Sequence, residues 1–203
     1  MDLESAKILG LVGVILELVG SLTGVSGYGS ILSIVGLVLL LIAVHELAEI
    51  SGVKAIFDKY LMGVIFVIIG VVIVIIIIIP LGLMGIGVPV YIRGNGFPST
   101  SLPSLPIAVI IAVIIAFIIM YIFLLLGYIR IRDSYYMIAD TFKHNIFHTV
   151  GTIYFIGAIL TIILVGFIIL LIGNIIELVA WATLPTQRVG VFEETTKREA
   201  PII

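Results

Sequence analysis

From Leu61 to Met84 the chain runs for 24 residues without a single charged side chain. As a helix rising 1.5 Å per residue, that stretch spans about 36 Å, enough to cross the roughly 30 Å hydrocarbon core of a bilayer. Further runs free of basic residues cover Ile8–Gly24, Gly29–Val44, Ile107–Tyr128 and Thr149–Leu184. The whole chain is 62% hydrophobic and 11% charged, with a mean hydropathy of +1.41. A water-soluble domain is closer to 45–50% apolar and 25% charged. Lipid is therefore the expected solvent, and the expected fold is all-α, a polytopic transmembrane helical bundle.

Length and charge set the number of spans. The run Thr149–Leu184 is too long for one crossing even when tilted, so it should break near Val165–Gly166 into two short helices. That gives six spans, about 8–24, 29–45, 61–84, 107–128, 149–165 and 167–184, arranged as three hairpins in a single unit over residues 1–185. With the N-terminus inside, the cytoplasmic segments hold Lys7, Lys54, Lys59, Arg130, Arg132, Lys143, Arg188, Lys197 and Arg198, and only Arg93 falls outside. Five spans would move three of those cations outward and erase most of the asymmetry that orients helices during insertion. A signal peptide ending at Gly20, Ser21 and Gly24 is the alternative for the first run. Glu17 within that run, and the apolar return segment from Ile31, favour a first span.

Two inner connectors, His45–Tyr60 and Arg130–His148, carry apolar residues at helical spacing: Leu47, Ile50, Ile56 and Phe57 in one, Tyr135, Ile138, Phe142 and Ile146 in the other. Both are expected to lie along the cytoplasmic membrane surface with their aromatic residues at headgroup depth. The outer connector Gly85–Pro106 is rich in glycine, serine and proline, which excludes a helix; a flexible linker is the expectation, and a small hairpin of Pro89–Arg93 with Gly94-Asn95-Gly96 is the alternative. The tail 186–203 mixes charges with too little apolar surface to fold, and is expected to be a disordered cytoplasmic segment.

Several function classes fall away on composition. A net charge of −2 offers no basic field for nucleic acid. With no cysteine there is no disulfide, no thiolate nucleophile and no sulfur-ligated metal. No phosphate loop, serine elbow or catalytic triad is legible, and His45-Glu46-Leu47-Ala48-Glu49 fails the zinc-protease pattern because a glutamate stands where the second histidine is required. The expectation is a protein that is not an enzyme and carries no cofactor.

Two echoes run through the chain, as duplicated membrane folds lead one to look for. Ala48-Glu49 and Ile56-Phe57 reappear as Ala139-Asp140 and Ile146-Phe147; Ile15-Leu16-Glu17-Leu18-Val19 reappears as Ile175-Ile176-Glu177-Leu178-Val179. Through the stretches Gly36–Ala43 and Phe155–Thr161 and the closing run to Pro185, the chain resembles a family of uncharacterised archaeal multi-pass integral membrane proteins, a domain-of-unknown-function family. The resemblance implies an archaeal cell (plasma) membrane and brings no activity, cofactor or catalytic residue with it.

Glu17 and Glu177 are the sharpest candidates, because each falls near the middle of its expected span, where an acidic group is costly and needs an offsetting role. If they meet, the pair could relay protons or bind a cation at mid-membrane, with Asn174 one turn from Glu177 as a further ligand; packing through neighbouring hydrogen bonds is the other reading. Asp140, His144 and His148 recur every four residues, so on one continuous helix they would share a face and could hold a transition metal, with His45 and Glu46 on the same side of the membrane. Gly29, Ser33, Gly36 and Ala43 follow one helical face, and Gly20 and Gly24 close the first span; both sets suit close helix packing. Pro80 should kink or end the third span.

The leading expectation is a structural or interaction component of the membrane, in contact with lipids and forming a homo-oligomer or part of a larger membrane complex. The alternative is a small proton- or cation-translocating transporter or channel using Glu17 and Glu177. Whether the two carboxylates converge on one polar cavity separates the two.

Overall fold

A computed structural model describes residues 2–23, 28–81 and 107–185. Gly24, the connector Gly85–Pro106 with its possible hairpin, and the tail 186–203 lie outside the described residues. Six helices are long and apolar enough to cross a membrane: α1 Leu3–Thr23, α2 Tyr28–Ser51, α3 Ala55–Leu81, α4 Ile107–Phe142, α5 Ile146–Leu160 and α6 Val165–Ala182. No strand occurs among the described residues. Even the β-branched run Val74–Ile79 is helical, because in hydrocarbon only a helix satisfies every backbone group within one segment.

The helices close into a ring in chain order, each packing on the next and α6 returning to α1. Within each hairpin, glycines set the approach. A Cβ at Gly36 would lie 2.6 Å from the Gly13 carbonyl oxygen, one at Gly63 2.7 Å from the Gly127 oxygen, and one at Gly157 2.9 Å from Leu170 Cγ. Gly20 likewise abuts Gly29 and Ser33, and Ala43 is fully buried on the same face of α2. The small-residue face of α2 thus meets α1 directly, backbone against backbone. Lys7 Nζ donates to the Leu184 carbonyl at 3.0 Å, and Gly10 receives the Trp181 ring; both ties join the start of α1 to the end of α6.

The long run after Thr149 breaks at a 3₁₀ turn, Thr161–Ile163, followed by Leu164 in the left-handed region (φ 63°). Pro80 sits in the last described turn of α3.

The two inner connectors are helical but are not separate surface helices. α2 runs unbroken to Ser51 and α3 begins at Ala55, while α4 continues to Phe142 and α5 begins at Ile146. Leu47, Ile56, Tyr135, Ile138 and Phe147 are each 0% exposed and form the centre of the core. Their apolar faces find one another across the bundle, which buries them more completely than a headgroup layer could. The two turns are copies. Gly52 (φ 73°) and Lys143 (φ 54°) take the same left-handed conformation. Ile56 N donates to Val53 O at 3.1 Å as Phe147 N does to His144 O at 3.2 Å, and Asp58 N to Lys54 O at 3.2 Å as Thr149 N does to Asn145 O at 3.4 Å. This alignment pairs Ile56 with Phe147, one residue away from the match that the letters suggest.

All six lysines and arginines among the described residues (Lys7, Lys54, Lys59, Arg130, Arg132 and Lys143) lie toward the end that carries these two turns, the start of α1 and the close of α6. Here it is called the charged end.

Candidate functional site

All six helices contribute to one partly open cavity of about 190 Å³. Glu17 reaches it from α1, Leu37 from α2, Tyr60 and Val64 from α3, Tyr128 and Tyr135 from α4, Tyr154 from α5, and Leu170, Asn174 and Glu177 from α6. The two glutamates singled out by the sequence therefore look into the same space, and Asn174 looks in beside them.

The two carboxylates are held in opposite ways. Glu177 is 1% exposed and is the focus of three donors: the hydroxyls of Tyr135 and Tyr154, and Trp181 Nε1 at 3.3 Å. Tyr154 is forked, because its hydroxyl also meets Asn174 Oδ1; one phenolic proton serves two acceptors, so it can satisfy only one at a time. A buried carboxylate without partners would cost several kcal/mol, and these donors are what make the position tenable. Glu17 has no hydrogen-bonding partner or ion pair among the described residues; its backbone lies against Gly36 across the helix contact. Its carboxylate is the unclaimed group of the cavity.

α6 ends at Ala182, which leaves Glu177 five residues, about 8 Å of helix rise, from the charged end. Its partner Tyr135 belongs to the same turn of α4 as the Lys59–Asp133 (3.6 Å) and Arg132–Asp133 (3.1 Å) ion pairs.

An aromatic cluster builds the cavity wall. Tyr60 meets Tyr135 edge-on (centroids 5.8 Å), Tyr128 and Tyr154 are 6.0 Å apart, and the back of Tyr135 stacks on Phe147 at 5.9 Å and 13°. Phe147 in turn takes the edge of Trp181 at 5.5 Å. Such pairs are worth ~0.5–1.5 kcal/mol beyond burial, and here they fix the direction of the two hydroxyls that grip Glu177. Sequence reasoning missed these tyrosines by placing aromatic residues at headgroup depth. Their spacing held the signal: Tyr128 and Tyr135 are seven residues apart, and Glu177 and Trp181 four apart, each pair on one helical face.

The proposed metal triad does not assemble. Lys143 in the left-handed conformation breaks the helix between α4 and α5, so Asp140, His144 and His148 do not share a face. His148 Nε2 pairs with Asp140 Oδ1 at 3.0 Å across the turn, while His144 Nε2 turns to Thr183 Oγ1 at 3.1 Å. No cluster of three or more metal-ligating acidic or histidine side chains occurs among the described residues. His45 approaches Glu49 at 3.9 Å and packs edge-on against Phe57, and Glu46 is buried with Oε2 unpartnered. Partial burial lowers the pKa of the His144 imidazole below its ordinary value.

Six helices long and apolar enough to cross a membrane define a multi-pass membrane protein. The chain belongs to the family described as protein of unknown function (DUF996), whose model matches residues 32–175. It is 32% identical over 185 residues, 91% of this chain and 94% of the relative, to the uncharacterized protein MJ1644 of Methanocaldococcus jannaschii. No solved structure matches it.

Proposed function

We propose that this chain is a small carrier or channel for protons or cations in the archaeal plasma membrane, working through Glu17 and Glu177. One observation carries the reading: the two intramembrane carboxylates line a single cavity to which every helix contributes. Ionisable groups inside membrane helices are functional candidates by default, and two of them lining one space suit an ion pathway. The unequal holding of the pair suits transfer. Glu177 is anchored by three donors, and Glu17 is available to accept a positive charge and release it. Tyr154, shared between Glu177 and Asn174, supplies a hydroxyl that can change acceptor as the charge on Glu177 changes.

The reading places both termini in the cytoplasm, because the six described lysines and arginines gather toward one end and cytoplasmic loops carry the excess of basic residues. It treats the protein as a non-enzyme whose surroundings are lipid. Reconstitution into proteoliposomes tests it: an imposed gradient of protons, sodium or a small organic cation should dissipate faster than in empty vesicles for at least one of the three, and Glu17→Gln should reduce that rate at least tenfold. Wild-type flux equal to that of empty vesicles for all three gradients would end the proposal.

A further inference from the structure

The cavity wall has a composition that a proton or a bare metal ion does not need. Around the free carboxylate of Glu17 the lining is aliphatic and aromatic, with Leu37, Val64 and Leu170 on one hand and Tyr60 and Tyr128 on the other. A metal ion leaving water requires several oxygen ligands, typically six to eight for calcium and six for magnesium. Glu177 already accepts from Tyr135, Tyr154 and Trp181, and Asn174 Oδ1 from Tyr154, which leaves the Tyr128 hydroxyl as the neutral oxygen beside Glu17. A dehydrated divalent cation would therefore fall short of the six to eight oxygen ligands it needs. The space of 190 Å³ equals that of roughly six waters at about 30 Å³ each, far more than one unhydrated ion fills. What these walls satisfy together is a cation whose charge is wrapped in carbon. Alkyl groups would lie on the aliphatic side chains, the positive centre would face Glu17, and tyrosine rings would add the attraction that aromatic cages give quaternary ammonium ions.

From the juxtaposition of an unpartnered carboxylate, Glu17, with the aromatic and aliphatic walls of one 190 Å³ cavity, we propose that the site takes a small alkylammonium cation. This names the cargo of the carrier proposed above and rests on that reading for its transport sense, but the binding claim can be tested by itself.

The probes are tetramethylammonium and n-butylammonium, added to the full-length protein in detergent, with sodium at matched ionic strength and neutral tert-butanol as controls. Thermal unfolding and titration calorimetry should show saturable stabilisation by the ammonium ions and none by sodium or the alcohol. Glu17→Gln should abolish the effect while leaving the ligand-free unfolding temperature in place, since Glu17 holds no hydrogen-bonding or ion-pair partner among the described residues. Tyr60→Leu or Tyr128→Leu should weaken binding roughly 2- to 30-fold, the range expected for losing one cation–π contact. Equal stabilisation by sodium, or ammonium binding undiminished in Glu17→Gln, overturns the inference. Proton or sodium flux in vesicles free of any ammonium ion, together with no ammonium binding, would leave the carrier standing and remove this cargo. Ammonium binding with no flux of any cation would do the reverse.

Discussion

The two ends of the bundle are built from the same kinds of residue and packed to different standards. At the charged end Trp181, Tyr135, Phe147, Leu47, Ile56 and Ile138 are fully buried and interlocked. At the far end α3 and α4 present Ile68, Ile75, Ile76 and Ile79, and Ile107, Ile111, Ile114 and Ile118, all exposed. Tyr121 already donates to the Ile159 carbonyl in the last turn of α5, at 2.7 Å, so the stretch of α4 from Ile107 to Met120 continues past the end of that helix with α3 as its main companion. Lipid tails are as apolar as leucine, so an isoleucine gains little by leaving them for protein. A buried carboxylate gains a great deal from fixed donors. The buried aromatic residues are therefore concentrated where polar groups must be held, and the far ends of α3 and α4 turn isoleucine outward.

The contrast can be broken most severely at Trp181. Removing that ring with Trp181→Ala takes away the partner of Gly10, Phe147 and Glu177 together, and should cost about 3–5 kcal/mol in a reversible unfolding assay in mixed micelles. Next come the hydroxyls. Tyr135→Phe and Tyr154→Phe should each lose ~1–3 kcal/mol by leaving the Glu177 carboxylate short of a donor, with the double variant departing from additivity because they share one acceptor. A smaller pair of opposite signs tests the copied turns. Gly52→Ala should destabilise by about 1 kcal/mol, although a Cβ there has open space, because its backbone is left-handed. Lys143→Gly should stabilise by a similar ~1 kcal/mol.

Smaller still is a pH effect at the same end. The pKa of His144 is lowered in the folded protein by its partial burial, so the unfolded chain binds the proton more readily. Its contribution is intact above the ordinary histidine value near 6.5 and declines as the pH falls below it; in His144→Asn that part of the acid sensitivity should flatten. At the bottom of the scale, Ile76→Ala and Ile114→Ala at the far end should stay within about 0.5 kcal/mol of wild type. A large loss there would mean that this end is packed against something.

Much of this was legible in the residues, for reasons the ends make plain. Helix number follows from run length and the placing of the basic residues, because apolar runs this long cross lipid as helices. The acidic pair was legible because a charge inside such a run is rare. The metal triad misled because four-residue spacing means one face only on an unbroken helix, and lysine gives no sign of the left-handed turn that it makes at position 143. Seen beside Gly52, that turn becomes readable: Lys143 occupies the place of a glycine in a duplicated connector. The surface-lying connectors were a misreading of a different kind. Amphipathic spacing in Leu47–Phe57 and Tyr135–Ile146 marks a face that must be covered, and only the fold decides whether lipid headgroups or another helix covers it.

The account stands on Glu17 and Glu177 looking into one space, and the chain's lack of cysteine makes that directly measurable. In Glu17→Cys/Glu177→Cys, treatment of the membrane-embedded protein with dibromobimane, which fluoresces strongly on bridging two thiols, should give a bright intramolecular product. Glu17→Cys paired with His144→Cys should stay dark. Two alkylated but unbridged thiols at positions 17 and 177 would contradict the shared cavity and the function built on it.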